Sequence, residues 1–488
     1  MDWLATLPRL LQSGLGNLAA YLAAHVLLCL LPAFYIAGAM TALIPKEAVT
    51  RFLGRSTPKF VSYPAAALAG SVLAVCSCTI VPLFAGIYKK GAGIGPAITF
   101  LFFAPAGNIL ALAYTGVAIG PDLAFARLFL SLVFGIGIGL IMALIFSRDD
   151  ASRARSADAL FSGGRGLDRA RLALLLVLVA LLLFGTLKLE ILTNRYAELT
   201  LPAAGAGAWQ ATLDRLVPYD VARGEEGVTL QGVALIGLLA LIGASAWLGL
   251  EKRLDVLNRW TWTSLGLAAL TLLVAALSVT PAAGGLVLAL TGRFFGVAAA
   301  LIALGLIAAR GFTAQEVGDW LWESWRFVRQ IFPLLVVGVF AVGVVRPLVR
   351  PEWIESLAGA NTVLGNLAGV VFGVFMYFPT LVEVPIANLF LSLGMHRGPL
   401  LAYLMADPEL SLQSILIIAT IIGRAKAWTY VGWVALFSLL AGLIYGAWND
   451  GVSVWLLAGG LAALIAALAA GLVAMNRWNE RRAPALAR

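Results

Sequence analysis

Two of the chain's three cysteines, Cys76 and Cys78, stand one residue apart in the run VCSCTIVPLFAGIYKKGAGIGP, from Val75 to Pro96. Thiolates are soft ligands that select soft partners. A pair at this spacing, with Cys29 as a third donor, therefore suits a thiophilic centre better than a hard cation. Cysteine is also among the most buried residue types and packs as a small hydrophobe, and for Cys29 that is the simpler reading. Beside the thiol pair the chain interrupts its own helical pattern with Pro82, Pro96 and four glycines. A helix N-terminus opened by such a break favours a reactive thiolate.

A second chemical group is Glu383, in the run FPTLVEVP from Phe378 to Pro385. An ionisable group inside an apolar segment is costly and marks a functional candidate. Glu383 is thus expected to carry a proton or to pair with a cation, with Lys89, Lys90 and Arg293 as the bases in view. Asn108 and Ser411 each follow a proline by three residues. Asn108 is a candidate substrate contact, although capping of carbonyls freed by Pro105 is the simpler role. Asp407 and Glu409 flank Pro408 and are expected to face water. Arg293 should pair with a carboxylate or snorkel.

These groups sit in a chain of 488 residues that is 61% hydrophobic and 12% charged, with a mean hydropathy of +0.94. Soluble domains do not reach that balance, and the composition specifies an all-α polytopic membrane protein. The net charge of +9 lies in short clusters between apolar runs, which suits loop orientation rather than nucleic acid. There is no GxxxxGK[ST] loop and no HExxH, and only His25 and His396 are present. Neither an ATP-driven pump, a zinc enzyme nor a resident cofactor is expected. The first apolar segment lacks a basic leader and a cleavage site and is expected to be retained.

Windows of about 20 apolar residues fall at roughly 15–44, 95–118, 122–146, 170–192, 228–250, 261–280, 284–309, 327–349, 398–423, 428–449 and 452–475. The stretches 60–90 and 361–394 are long but broken by glycine, proline and polar residues. The segment 310–330, with Trp320, Trp322 and Trp325 among charges, reads as an interfacial amphipathic helix or an aromatic belt.

A shift of 303 positions superposes Gly70 on Gly373, Pro82 on Pro385, Gly91 on Gly394, Gly95 on Gly398, Pro96 on Pro399 and Pro105 on Pro408 without a gap. A duplicated unit explains this, with transport repeats at 15–146 and 327–449. Between them, 147–326 supplies four helices and a long loop as a scaffold or oligomerisation layer, and 450–488 forms a last helix and a basic tail. A homo-oligomer is one consequence of that layer.

Basic loops stay cytoplasmic. Those around 46–59, 89–90, 147–171, 252–259 and 424–426, together with the tail Arg477, Arg481 and Arg482, all fall on one side if 60–90 and 361–394 enter and leave on the same face. The two repeats then run in opposite orientations, with broken or re-entrant helices meeting inside the bilayer as in secondary transporters. The C-terminus is expected in the cytoplasm and the protein in the cell (inner) membrane.

The run Cys76-Ser-Cys78-Thr-Ile-Val-Pro82, the turn Gly91-x-x-x-Gly95-Pro96 and Phe103-Ala-Pro105-Ala-Gly-Asn108 resemble the ArsP-type permease family, specifically over about 65–120 and more loosely over 361–449. The resemblance implies efflux of trivalent organoarsenicals, with Cys76 and Cys78 as arsenic(III) ligands. It leaves 147–326 without a counterpart. An ion gradient, with protons as the candidate coupling ion, supplies the energy unless a separate subunit does. Two alternatives stay open: transport of another soft metal or sulfur compound, and a membrane thiol–disulfide relay through Cys76 and Cys78. Against the relay, the positions opposite the cysteines are Pro379 and Leu381.

Overall fold

The computed structural model describes the chain except residues 1–2, 25–27, 29, 45, 56, 74–76, 148, 151, 153–167, 188, 203–204, 218, 220–226, 252–256, 283–284, 349–350, 376–382 and 483–488. The N-terminal part comprises α1 (Trp3–Ala24), α2 (Leu31–Ala42), α3 (Lys46–Leu53), α4 (Lys59–Leu73), α5 (Ser77–Lys89), α6 (Ile94–Ala106), α7 (Ile109–Ala118) and α8 (Pro121–Ile145). The middle part contains α9 (Arg169–Thr186), the short α10 (Glu190–Thr193), α11 (Ala206–Leu216), α12 (Leu230–Leu250), α13 (Arg259–Ala276) and α14 (Gly292–Gly311). The C-terminal part comprises α15 (Ala314–Val345), α16 (Pro351–Ala358), α17 (Val363–Phe375), α18 (Glu383–Ser392), α19 (Arg397–Leu410), α20 (Leu412–Ile422), α21 (Arg424–Asn449) and α22 (Val454–Arg482).

Among the described residues, six helical stretches are long and apolar enough to cross a membrane, or seven if α19 and α20, bent by 47°, count as one. The protein is therefore a multi-pass membrane protein that is mostly helical, with one exception to the all-α expectation. Strands β1 (Arg195–Leu201), β2 (Ser278–Ala282) and β3 (Gly285–Thr291) form an antiparallel sheet in the order β1-β3-β2. The window 284–309 is thus divided at Gly292. Its first residues, GLVLALT, are apolar enough for a helix, but they pair along β1 and β2. Hydropathy alone does not separate a short apolar strand from a helix.

In the window 15–44 the described residues form α1 and α2, and residues 25–27 and 29 between them lie outside the described residues. One further boundary differs from expectation. The segment 310–330 is no separate interfacial helix, because α15 runs unbroken for 32 residues with Pro333 inside it. Trp320 and Trp325 are buried. The Trp320 indole donates to the Tyr35 carbonyl at 2.8 Å, and that of Trp325 to Glu251 at 3.2 Å. These rings pack inward rather than forming a belt.

The two ends of each broken segment meet. Gly93 N donates to Leu53 O at 2.7 Å, and His396 N donates to Ala358 O at 2.9 Å. Each broken segment ends in a left-handed glycine, Gly91 at φ 94° and Gly394 at φ 88°. Each also lies flat on the next helix. A Cβ on Gly70 would come within 3.0 Å of the Ala104 backbone, and one on Gly373 within 2.8 Å of the Asp407 amide.

Helices α8 and α21 run antiparallel. The start of α8 meets the end of α21, where Tyr445 Oη donates to Asp122 Oδ2 at 2.8 Å. The end of α8 meets the start of α21, where Lys426 Nζ lies 3.3 Å from Asp149 Oδ2. Between these ends Phe134 packs on Phe437, ring centroids 4.8 Å apart.

Because an L-residue in the left-handed region costs about 1–2 kcal/mol, Gly394→Ala should lower the stability of the detergent-solubilised protein by that order. Thermal unfolding would show a reduced midpoint, and an unchanged midpoint would contradict the strained-turn assignment.

Candidate functional site

The deepest polar contact links the N-terminal and C-terminal parts. Arg127, in the second turn of α8, has a fully buried side chain, and its Nη2 lies 2.6 Å from Glu383 Oε1, equally buried. The same guanidinium donates through Nε to Ala106 O at 3.1 Å and through Nη1 to Thr115 Oγ1 at 3.4 Å. One planar fork thus ties α6, α7, α8 and α18 together, a geometry that lysine cannot reproduce.

Backbone charge explains why each group sits where it does. Ala106 is the last residue of α6, and a helix C-terminus offers carbonyls without intrahelical partners and a partial negative charge. The guanidinium satisfies one of those carbonyls. Glu383 is the first residue of α18, where unpaired amides and the positive end of the dipole favour a carboxylate. Pro385, two residues on, falls in the first turn, where proline is tolerated.

A second polar locus lies at the end of α19. Tyr430 Oη donates to Glu409 Oε2 at 2.6 Å, with Tyr430 fully buried and Glu409 2% exposed. Asp407 is buried beside it in the same turn. Ser411 Oγ donates to Ser414 Oγ at 2.7 Å at the bend into α20. At the opposite end of α19, Arg397 Nη1 lies 2.5 Å from Asp122 Oδ2.

Glu383 is therefore paired with none of Lys89, Lys90 or Arg293. Lys89 Nζ instead stands 3.9 Å from the Phe327 ring centroid, a cation–π arrangement. Lys90 is buried. Arg293 donates from Nη2 to Leu187 O at 3.2 Å, a helix-end carbonyl in place of the expected carboxylate. The expectation that Asp407 and Glu409 face water is also overturned, because α17 and α21 pack over α19 and leave both buried.

Asn108 is buried at the two-residue interruption between α6 and α7. Pro82, Pro105 and Pro408 lie inside α5, α6 and α19 respectively. The interruptions come after the latter two, at Gly107–Asn108 and Ser411, so these prolines weaken the last turn and the chain turns one step later. Gly91 and Gly394 do make turns. Cys29 and Cys76 lie outside the described residues, and of Cys78 only its place in the first turn of α5 is described.

Arg127 and Tyr430 escaped the sequence reading. Arg127 carried a usable signal, a lone base in the apolar run 122–146. Tyr430 carried none of its own, yet it stands 303 positions from Arg127.

Removing one partner of a buried ion pair leaves an uncompensated charge and costs about 3–5 kcal/mol, whereas replacing both by apolar residues can be nearly neutral. Arg127→Met should therefore be strongly destabilising, and Arg127→Met with Glu383→Leu should recover most of the loss. A thermal-unfolding double-mutant cycle in detergent checks this, and additive losses would show that the pair is not coupled.

With this geometry in place, comparison with known proteins is informative. The family model ArsP_1, described as a predicted permease, matches residues 13–248 and 306–447. Most of the middle part is thus shared with the family after all, and within it only 249–305, which holds α13, β2, β3 and most of α14, falls outside the match. The chain is 31% identical over 446 residues to UPF0718 protein MJ0584 of Methanocaldococcus jannaschii, covering 91% of this chain and 98% of that protein. It is 26% identical over 123 residues to UPF0718 protein YraQ of Escherichia coli, covering 25% of this chain and 35% of that protein. No solved structure matches. A match this extensive, on a helical membrane fold with a buried ion pair at its broken helices, means that the chain belongs to the ArsP-type predicted permease family.

Proposed function

We propose that the protein is a secondary-active permease of the cell (inner) membrane that exports a small, soft, thiol-reactive solute, a trivalent organoarsenical in the first instance. The observation that carries this reading is the Arg127–Glu383 pair, buried where broken helices from the two halves meet. Transporters of inverted-repeat design bind their cargo at such a junction.

The inverted-repeat reading, with units 15–146 and 327–449, draws support from several contacts. Helix α6 starts 303 positions before α19, α7 before α20 and α8 before α21, the last pair at Pro121 and Arg424. Since α8 and α21 are then equivalent, their antiparallel course favours opposite orientation. Phe134 packs on its own equivalent, Phe437, as residues do on a two-fold axis. The Leu53–Gly93 and Ala358–His396 backbone contacts favour re-entrant hairpins at 60–90 and 361–394. Charge distribution places the tail in the cytoplasm. The helices of 147–326 brace this unit or join copies of it.

In the cycle, one repeat rocks against the other. Cys76 and Cys78 capture the soft centre, with Cys29 and Asn108 as further candidate contacts, and Glu383 acts as the charge-pairing residue that holds the halves together. An ion gradient supplies the energy, with protons as the ion.

Expression of the protein should protect cells against a trivalent methylarsenical. Cys76→Ser with Cys78→Ser should abolish that protection while membrane abundance, read by immunoblot, stays normal. Retained resistance in the double variant would remove the thiol mechanism, and everted-vesicle uptake across arsenicals, antimonials and mercurials would define the cargo.

A further inference from the structure

We propose that Glu409 is the proton-binding group of the transport cycle, held in place by Tyr430; this rests on the secondary-permease reading above and assigns its coupling site. Glu383, the other candidate carboxylate, already faces the Arg127 guanidinium at 2.6 Å, and an ion pair of that closeness has its charge balanced. Glu409 is different. Its Oε2 accepts from Tyr430 at 2.6 Å, its Oε1 has no hydrogen-bond partner, and it is buried. Among the described residues it takes part in no ion pair.

The surrounding elements leave no base for it. Helices α6, α17 and α20, which pack on α19, contain no titratable residue. Helix α8 contributes Asp122 and Arg127, α18 contributes Glu383, and α21 contributes Arg424, Lys426, Tyr430 and Tyr445. Arg127 is committed to Glu383 and Ala106. Asp122 and Tyr445 are committed to Arg397 and to each other. Lys426, one turn before Tyr430 on α21, is committed to Asp149, and Arg424 at the start of that helix is exposed. On α19 itself stand Arg397, Tyr403 and Asp407. A lone carboxylate in such surroundings costs several kcal/mol, and a bound proton removes that cost.

The repeat pattern sharpens the assignment. At the spacing of 303, Glu409 corresponds to Ala106 and Tyr430 to Arg127. In the first half the α8 side chain reaches the α6 terminus as guanidinium to carbonyl. In the second half the α21 side chain reaches the α19 terminus as phenol to carboxyl. The same contact is thus permanently charged in one half and able to load and unload a proton in the other. When loaded, the proton sits on Oε1, and Oε2 is the carbonyl oxygen that accepts from Tyr430. On release the Oε1–H bond breaks, the proton passes to water, and the carboxylate keeps its Tyr430 donor.

The full-length protein in lipid nanodiscs should show a carboxylic C=O band in pH-difference infrared spectra. Glu409→Gln, which keeps an acceptor for Tyr430, should remove the band. Tyr430→Phe should move it to higher frequency, and Asp407→Asn should leave it. A band that survives Glu409→Gln or vanishes in Asp407→Asn overturns the proposal. Uptake of a trivalent methylarsenical into everted vesicles should follow an imposed pH gradient, and Glu409→Gln should lose that dependence. Dependence that persists in the variant, or uptake driven by sodium instead, overturns the proton assignment. Wild-type vesicles that move no arsenical would refute the cargo reading alone, because the infrared result stands without it.

Discussion

A guanidinium and a carboxylate that are both shut away from water must stay in contact, and the interior of this protein is arranged around that requirement. Arg127 and Glu383 come from opposite halves of the chain. Neither could be buried alone without a cost comparable to a large part of a domain's stability. The pair therefore fixes where α18 begins relative to α8. It also fixes where α6 ends, because the same guanidinium occupies the Ala106 carbonyl. The interruption at Gly107–Asn108 is tolerable in a membrane because a side chain supplies what the missing helical turn would have supplied.

The broken segments serve the same end, because in each half the two ends of the segment return to one place, Leu53 to Gly93 and Ala358 to His396. Gly70 and Gly373 allow those segments to lie against α6 and α19 at backbone distance. The left-handed turns at Gly91 and Gly394 redirect the chain into those helices. Around this frame α15 acts as a brace. It lies against α1, α2 and α20, and its tryptophans donate to the Tyr35 carbonyl and the Glu251 carboxylate.

Near-equivalence of the two halves makes their differences informative. Alanines at 104 and 106 are matched by Asp407 and Glu409, Ile80 by Glu383, and Arg127 by Tyr430. Negative charge thus collects in the second half, the one strong buried cation of the α8 contact lies in the first, and the halves attract across their junction. The cysteines likewise occur in one half only.

Composition alone determined that the chain is a helical membrane protein, because 61% hydrophobic residues cannot be buried in a soluble domain of this size. The glycine spacing determined where the broken segments end, at Gly91 and Gly394, since a φ above zero is a local property. Local signals were weaker at the sheet, where GLVLALT reads equally well as helix until β1 and β2 offer it partners. They were weaker again at 310–330, where the tryptophans suggested a surface and the packing of α2 made them interior. What only the tertiary structure decided was which charges meet. Arg127 and Glu383 are 256 positions apart, and pairing at that separation depends on how α8 and α18 are brought together, which no local pattern encodes. Burial of Asp407 and Glu409 was decided in the same way, by α17 and α21 closing over the end of α19.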